Sequence, residues 1–262
     1  MMWCAPAASS RRCCGACRPS PPPDDARLSR RNAECMNRVH TYILSSGLIL
    51  SPVFITAEEL VRLTVDNGYV ENDSDPVADA ASHLHVVADN LTTWHLAAYL
   101  NLAYVVTWAL ALLAITVLVA RTRPVLAAIS GLLGLVSVLG IAFHWAFYYL
   151  PLASLAEGDD RQLAARALSA FGDDVLLVVA LLMFLLGTLL AVLAAGLGLW
   201  RAHALPWWAA LGFLVWLGYV VTGSEARMAA LLNLSLLPPF LAVASRLAPA
   251  MAPEPQRQPT RV

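Results

Sequence analysis

The chain has 262 residues, of which 59% are hydrophobic and 13% charged, with a formal net charge of −1. A soluble domain carries about 25% charged residues, so too little polar surface is present here to cover a water-soluble globule, and a membrane protein is the first reading. The near-neutral charge gives no electrostatic footprint for nucleic acid.

All 17 basic residues are arginine. Arginine's advantage in bidentate contacts does not account for a complete absence of lysine. A GC-rich genome does, and it sets the expectation of a bacterial source.

The five cysteines (Cys4, Cys13, Cys14, Cys17 and Cys35) all fall in the first 35 residues. A structural zinc site needs about four ligands, typically as two spaced pairs, and only one Cys-x-x-Cys, Cys14 to Cys17, is present. A redox pair needs a fold that lowers the thiol pKa, and Pro21-Pro22-Pro23 forbids a helix directly after it. Residues 1–40 therefore read as a disordered basic head rich in Cys and Pro. Met36 opens MNRVHTYILSSGLIL, a short basic start followed by an apolar run, and is the expected point at which translation begins. A translated cytoplasmic tail and a metal or redox site are the other readings of this segment.

A membrane span needs about 20 apolar residues, because the hydrocarbon is about 30 Å thick and a helix rises about 1.5 Å per residue. In chain order the candidates are Thr41–Ala57, running on toward Leu60, then His95–Val119, Val125–Leu150, Val175–Trp200, Leu205–Val221 and Arg227–Leu247. The last is interrupted by Pro238-Pro239. In the loop after the first span, Val77, Ala80, Ala81, Leu84, Val87, Ala88 and Leu91 recur at helical spacing. They predict a short amphipathic helix on the outer surface. A second short helix is expected over Asp160–Phe171.

Charge alternates along this threading. Arg38, the Arg121-Thr122-Arg123-Pro124 turn, Arg201 and Arg246 mark one side. Glu58, Glu59, Asp66, Asp75, Asp79 and Asp89, and later Glu157, Asp159, Asp160, Asp173 and Asp174, mark the other. Short cytoplasmic loops collect arginine, so six spans with both termini inside is the expected arrangement. The expected fold is an all-α integral membrane bundle of six transmembrane helices over residues 41–248, followed by a disordered cytoplasmic tail over 249–262.

Ionisable groups inside a span are costly and face the bundle interior. Stepping back from His144 gives Ile141, Ser137, Gly134 and Ser130, a small and polar face suited to helix packing. The threading brings Glu58, Glu59, His95, Asn101, Tyr148, Asp173 and Asp174 to the same outer depth. These seven residues and His144 are the candidate ligand or proton site. Asp173 and Asp174 also read as helix caps, and the tryptophans and tyrosines as an interfacial belt. A carboxylate beside a histidine can relay protons, bind a divalent metal or hold a cation, and Glu58, His95 and His144 are the residues that would ligate a metal. No His-Glu-x-x-His, Gly-rich phosphate loop or Gly-x-Ser-x-Gly is present, and no cofactor is predicted.

The stretches GLILSP with AEELVRL, VADNLTTWHLAAYL, the Arg-x-Arg-Pro turn and WRAHALPWW resemble a loose class of uncharacterised bacterial multi-pass membrane proteins, of the kind filed under a domain of unknown function. The resemblance covers about 210 residues, and it implies an architecture with no activity attached. The expected role is that of a noncatalytic protein of the bacterial cytoplasmic membrane, whose outward polar cluster binds a small ligand, a proton or a partner. The expected partners are the lipid bilayer, and a second membrane protein or copy of the chain. A small secondary transporter and an intramembrane enzyme using Glu58 or Glu59 with the histidines are the alternatives.

Overall fold

The computed structural model describes residues 24–67, 75–172, 175–203, 205–222 and 230–250. These form eight helices and no strand. They are α1 (Asp24–Asp66), α2 (Pro76–Asp89), α3 (Leu91–Ala120), α4 (Pro124–Ala156), α5 (Arg161–Gly172), α6 (Val175–Arg201), α7 (Trp207–Thr222) and α8 (Leu237–Ala250), the last entered through a 3₁₀ turn at Leu231–Leu236.

Helices α3, α4 and α6 are long and apolar enough to cross a membrane. Their outward faces are continuous apolar stripes, such as Val125, Ile129, Leu132, Leu135, Leu139 and Phe143 on α4. Water does not tolerate apolar patches of that extent on a monomer. The inward faces carry small residues. On α4 these are Ala127, Ser130, Gly134, Ser137, Gly140 and Ile141, all buried, as the sequence spacing predicts. A Cβ on Gly140 would fall on the backbone of Met183 and Phe184. Glycine is therefore what lets α4 and α6 approach each other this closely. Inside, Trp108 Nε1 donates to Ser137 Oγ at 3.0 Å, and Ser137 shares a 2.8 Å hydrogen bond with Thr188.

Two corrections to the sequence reading concern helix limits. Helix α1 already runs from Asp24, so residues 24–40 are helical where an unstructured head was expected. Cys35 is exposed on it, while the four other cysteines lie outside the described residues. In the sixth predicted span the break comes before the prolines. The chain is 3₁₀-helical to Leu236, and Pro238-Pro239 sit in the first turn of α8, where a missing N–H costs no hydrogen bond.

The arginine-bearing turns share one end of the bundle. Gly198 packs on Val119 beside the Arg121–Arg123 turn, and Arg246 Nη1 donates to His203 O at 2.8 Å. His203 has φ 50° and donates its N–H to Trp200 O, closing α6 in the left-handed conformation common at helix ends. At the opposite end, α2, α5 and the last turns of α4 form a cap. Asp75 caps α2 by accepting from the N–H groups of Val77 and Ala78, with Pro76 in its first turn. Ala80, Leu84 and Val87 bury the inner face of α2 against Val65, Trp94, Leu152 and Ala165. Val77 and Ala81, expected on that stripe, are exposed instead.

Candidate functional site

Helix α4 changes pitch before the cap. Residues Trp145–Tyr149 form a π-helical turn. Pro151 lies just beyond it and has no N–H to donate back along the helix, so an ordinary α turn would be broken there; one extra residue absorbs the defect. Two indoles hold the turn. Trp94 Nε1 donates to Tyr149 O at 3.2 Å, and Trp145 Nε1 donates to Ala98 O at 2.8 Å. The widened turn turns His144, Tyr148 and Tyr149 toward the bundle axis. The His144 ring stacks between Tyr148 (5.1 Å between centroids) and Phe184 (5.2 Å).

Facing this turn is the last part of α1. Consecutive helical residues point about 100° apart, so Glu58 and Glu59 reach different neighbours. Glu58 is buried and accepts a hydrogen bond from the Tyr149 hydroxyl. Arg62, one turn on, places Nε 3.8 Å from the same oxygen and pairs closely with Asp66. Glu59 turns the other way. It accepts from the Tyr219 hydroxyl and, at 2.7 Å, from Asn233 Nδ2, while Asn233 Oδ1 accepts from Trp216 Nε1 at 3.0 Å.

Between these groups lies a cavity of about 400 Å³. Its polar lining comes from Glu58, Glu59, Arg62, Asn101, His144 and Asn233, and its aromatic lining from Tyr104, Tyr148, Trp216 and Tyr219. Asn101 is 4% exposed, and among the described residues neither its Oδ1 nor His144 Nδ1 has a hydrogen-bond partner. Buried polar atoms are seldom left so, and a lining that offers unused donors and acceptors is the chemistry of a binding site. The volume is that of a small-molecule pocket.

Five of the eight residues expected from sequence, Glu58, Glu59, Asn101, His144 and Tyr148, line this one cavity. Asp173 and Asp174 lie outside the described residues. His95 does not join the others. It sits in the second turn of α3, 43% exposed, with Nε2 3.5 Å from Glu157 Oε1 at the rim of the cap. The expected metal set of Glu58, His95 and His144 therefore does not converge, and among the described residues no three His, Cys, Asp or Glu side chains gather as ligands. Arg62, Tyr104, Trp216, Tyr219 and Asn233 were not foreseen. Arg62 had one legible signal, as the single base in an acidic loop at i+4 from Glu58 and i−4 from Asp66.

Tyr148 also borders a second space of about 350 Å³ beneath the cap, lined in part by Asp79, His83, Leu168 and Leu177. Burial lowers the His83 pKa; Asp66 and Asp79 oppose that shift and Arg62 adds to it. The His83 ring stands edge-on to Trp94 at 6.0 Å. No family model, curated protein or solved structure matches the chain.

Proposed function

We propose that this chain is a six-span protein of the bacterial cytoplasmic membrane that binds a small molecule in an outward-facing cavity and performs no chemistry on it. The observation that carries the reading is the convergence of two glutamates, an arginine, two asparagines and His144 on one pocket inside an otherwise apolar bundle. Polar groups so placed are expensive in a membrane and mark ligand or ion sites. The gathering of Arg121, Arg123, Arg201 and Arg246 at one end supports an inside location for that end. Helices α7 and α8 are short for spans; α7, with 16 residues, reaches about 24 Å, so the bilayer thins there or the helix is flanked by wet residues.

An enzymatic reading loses its main support in the geometry around His144. That ring is stacked between two aromatics and, among the described residues, is hydrogen-bonded to no carboxylate, whereas a Glu–His acid–base pair needs hydrogen-bond contact. Transport is favoured by one feature. Thr188 lines the cavity, Ser137 bonds to it, and Ser130 lies two turns further toward the arginine end, its buried hydroxyl without a partner among the described residues.

The test is a thermal-shift screen of the purified protein in nanodiscs against small cations, anions and neutral molecules. Saturable stabilisation by a hit, lost in Asn101→Leu, supports the reading. A screen without hits, or hits unaffected by Asn101→Leu and His144→Leu alike, overturns it. Proteoliposome flux of the hit then decides between binding and transport.

A further inference from the structure

The charges around the cavity do not balance evenly. Arg62 is committed to Asp66 and Glu58 on its own helix. Among the described residues, Glu59 receives hydrogen bonds only from neutral donors, Tyr219 and Asn233. Among the described residues no cation pairs with it. A carboxylate in an apolar bundle with neutral partners alone is an attractive site for positive charge. The same cavity presents the rings of Tyr104, Tyr148, Trp216 and Tyr219, and aromatic faces bind ammonium groups through their negative quadrupole.

The cavity also has an apolar side. Helices α6 and α7 meet near the arginine end, where Gly196 lies against Phe213. Toward the cap, Leu185 of α6 and Val220 of α7 both line the cavity, and Leu185 is 44% exposed beside the exposed Leu182 and Leu186 of the apolar stripe of α6. A single side chain thus touches both the pocket and the surrounding apolar phase.

Resting on the small-ligand reading above, the geometry points to an amphipathic organic cation as the ligand. Its singly charged ammonium head seats between Glu59 and the aromatic rings, and its apolar tail leaves past Leu185 between α6 and α7. A head of this kind satisfies Glu59 without displacing Arg62. The tail gives such a molecule a route from the lipid that a free metal ion or a hydrophilic anion does not have.

The experiment is calorimetric titration of protein nanodiscs, with empty nanodiscs subtracted. The probes are hexyltrimethylammonium, tetramethylammonium, hexyl sulfate and hexanol. Hexyltrimethylammonium is expected to bind saturably at one site, tetramethylammonium more weakly, and the sulfate and the alcohol not at all. Glu59→Gln, which keeps the shape and one acceptor, is expected to weaken binding at least about tenfold. Glu157→Gln, which removes an exposed carboxylate at the rim outside the cavity, is the control and is expected to bind as wild type. Equal binding of the sulfate, or a Glu59→Gln variant that is monodisperse and binds normally, overturns the cation assignment and leaves the pocket standing. If no probe binds while the thermal-shift screen yields a ligand of other chemistry, the assignment also falls. If both experiments are empty, the small-ligand reading falls with it.

Discussion

The Tyr149 hydroxyl of α4 donates to the Glu58 carboxylate of α1, joining residues 91 positions apart in the chain. Both side chains are buried, and Arg62 Nε stands 3.8 Å from the same carboxylate oxygen. Tyr149→Phe leaves a buried carboxylate short of a donor, a loss of about 1–3 kcal/mol. Thermal unfolding followed by tryptophan fluorescence in detergent is expected to show a lowered midpoint for Tyr149→Phe. Wild-type stability in that variant would show that Glu58 does not depend on this bond.

The α4–α6 contact rests on glycine. A side chain at Gly140 meets the Met183–Phe184 backbone, and one at Gly187 meets Ser137 and Val136. Backbone cannot retreat as a flexible side chain does, so Gly140→Val forces the helices apart and costs at least about 1–3 kcal/mol. It also strains the Ser137–Thr188 bond. The expected result is a large loss of monodisperse protein on size-exclusion chromatography. Gly218→Ala, at a position with nothing within 4 Å, is the contrast and is expected to behave as wild type.

Most of the helical layout could be read from spacing alone, because burial on α4 follows a 3.6-residue period. Ser130, Gly134, Ser137 and Ile141 are buried as that period requires. Depth was legible too; Glu58, Asn101, His144 and Tyr148 share the cavity that counting residues from the membrane edge implies. Azimuth was not. His95 precedes Asn101 by six residues on α3, about 9 Å nearer the cap and on another side of the helix, and so it meets Glu157 at the rim. Tyr219 and Asn233 were invisible for another reason. Each looks like an ordinary polar residue in an apolar segment until the fold brings it across 160 or 174 positions to Glu59. The helical start of α1 was missed because the Arg- and Cys-rich composition of the head lacks the apolar periodicity on which the reading relied.

Trp216, Asn233 and Glu59 form a chain in which Asn233 both accepts and donates. Linked groups of this kind do not contribute independently. In a double-mutant cycle of Trp216→Phe and Glu59→Gln, scored by unfolding free energy, the coupling is expected to be about 0.5–3 kcal/mol. Strict additivity would show that Asn233 does not transmit between them.

His83 gives the cap a pH dependence. Its pKa is lowered in the fold by burial, so the folded state disfavours the protonated ring. The unfolded chain takes up that proton more readily, and stability therefore falls as pH drops below about 6.5, the ordinary histidine value, and is constant above it. His83→Phe keeps an aromatic ring against Trp94 and removes the titration. Unfolding midpoints at pH 5 and pH 7.5 are expected to differ less in His83→Phe than in wild type. An equal difference in both would assign the dependence elsewhere.

The placement of the cavity can be measured directly with cysteines introduced into a chain whose native cysteines are replaced by serine. Asn101→Cys puts a thiol in the cavity lining, and Ser130→Cys puts one deep at the arginine end. A small, membrane-impermeant, positively charged methanethiosulfonate applied to intact cells is expected to label Asn101→Cys and to leave Ser130→Cys untouched. Labelling of Asn101→Cys only after the inner face is exposed, or from neither side, would contradict an outward-facing polar pocket.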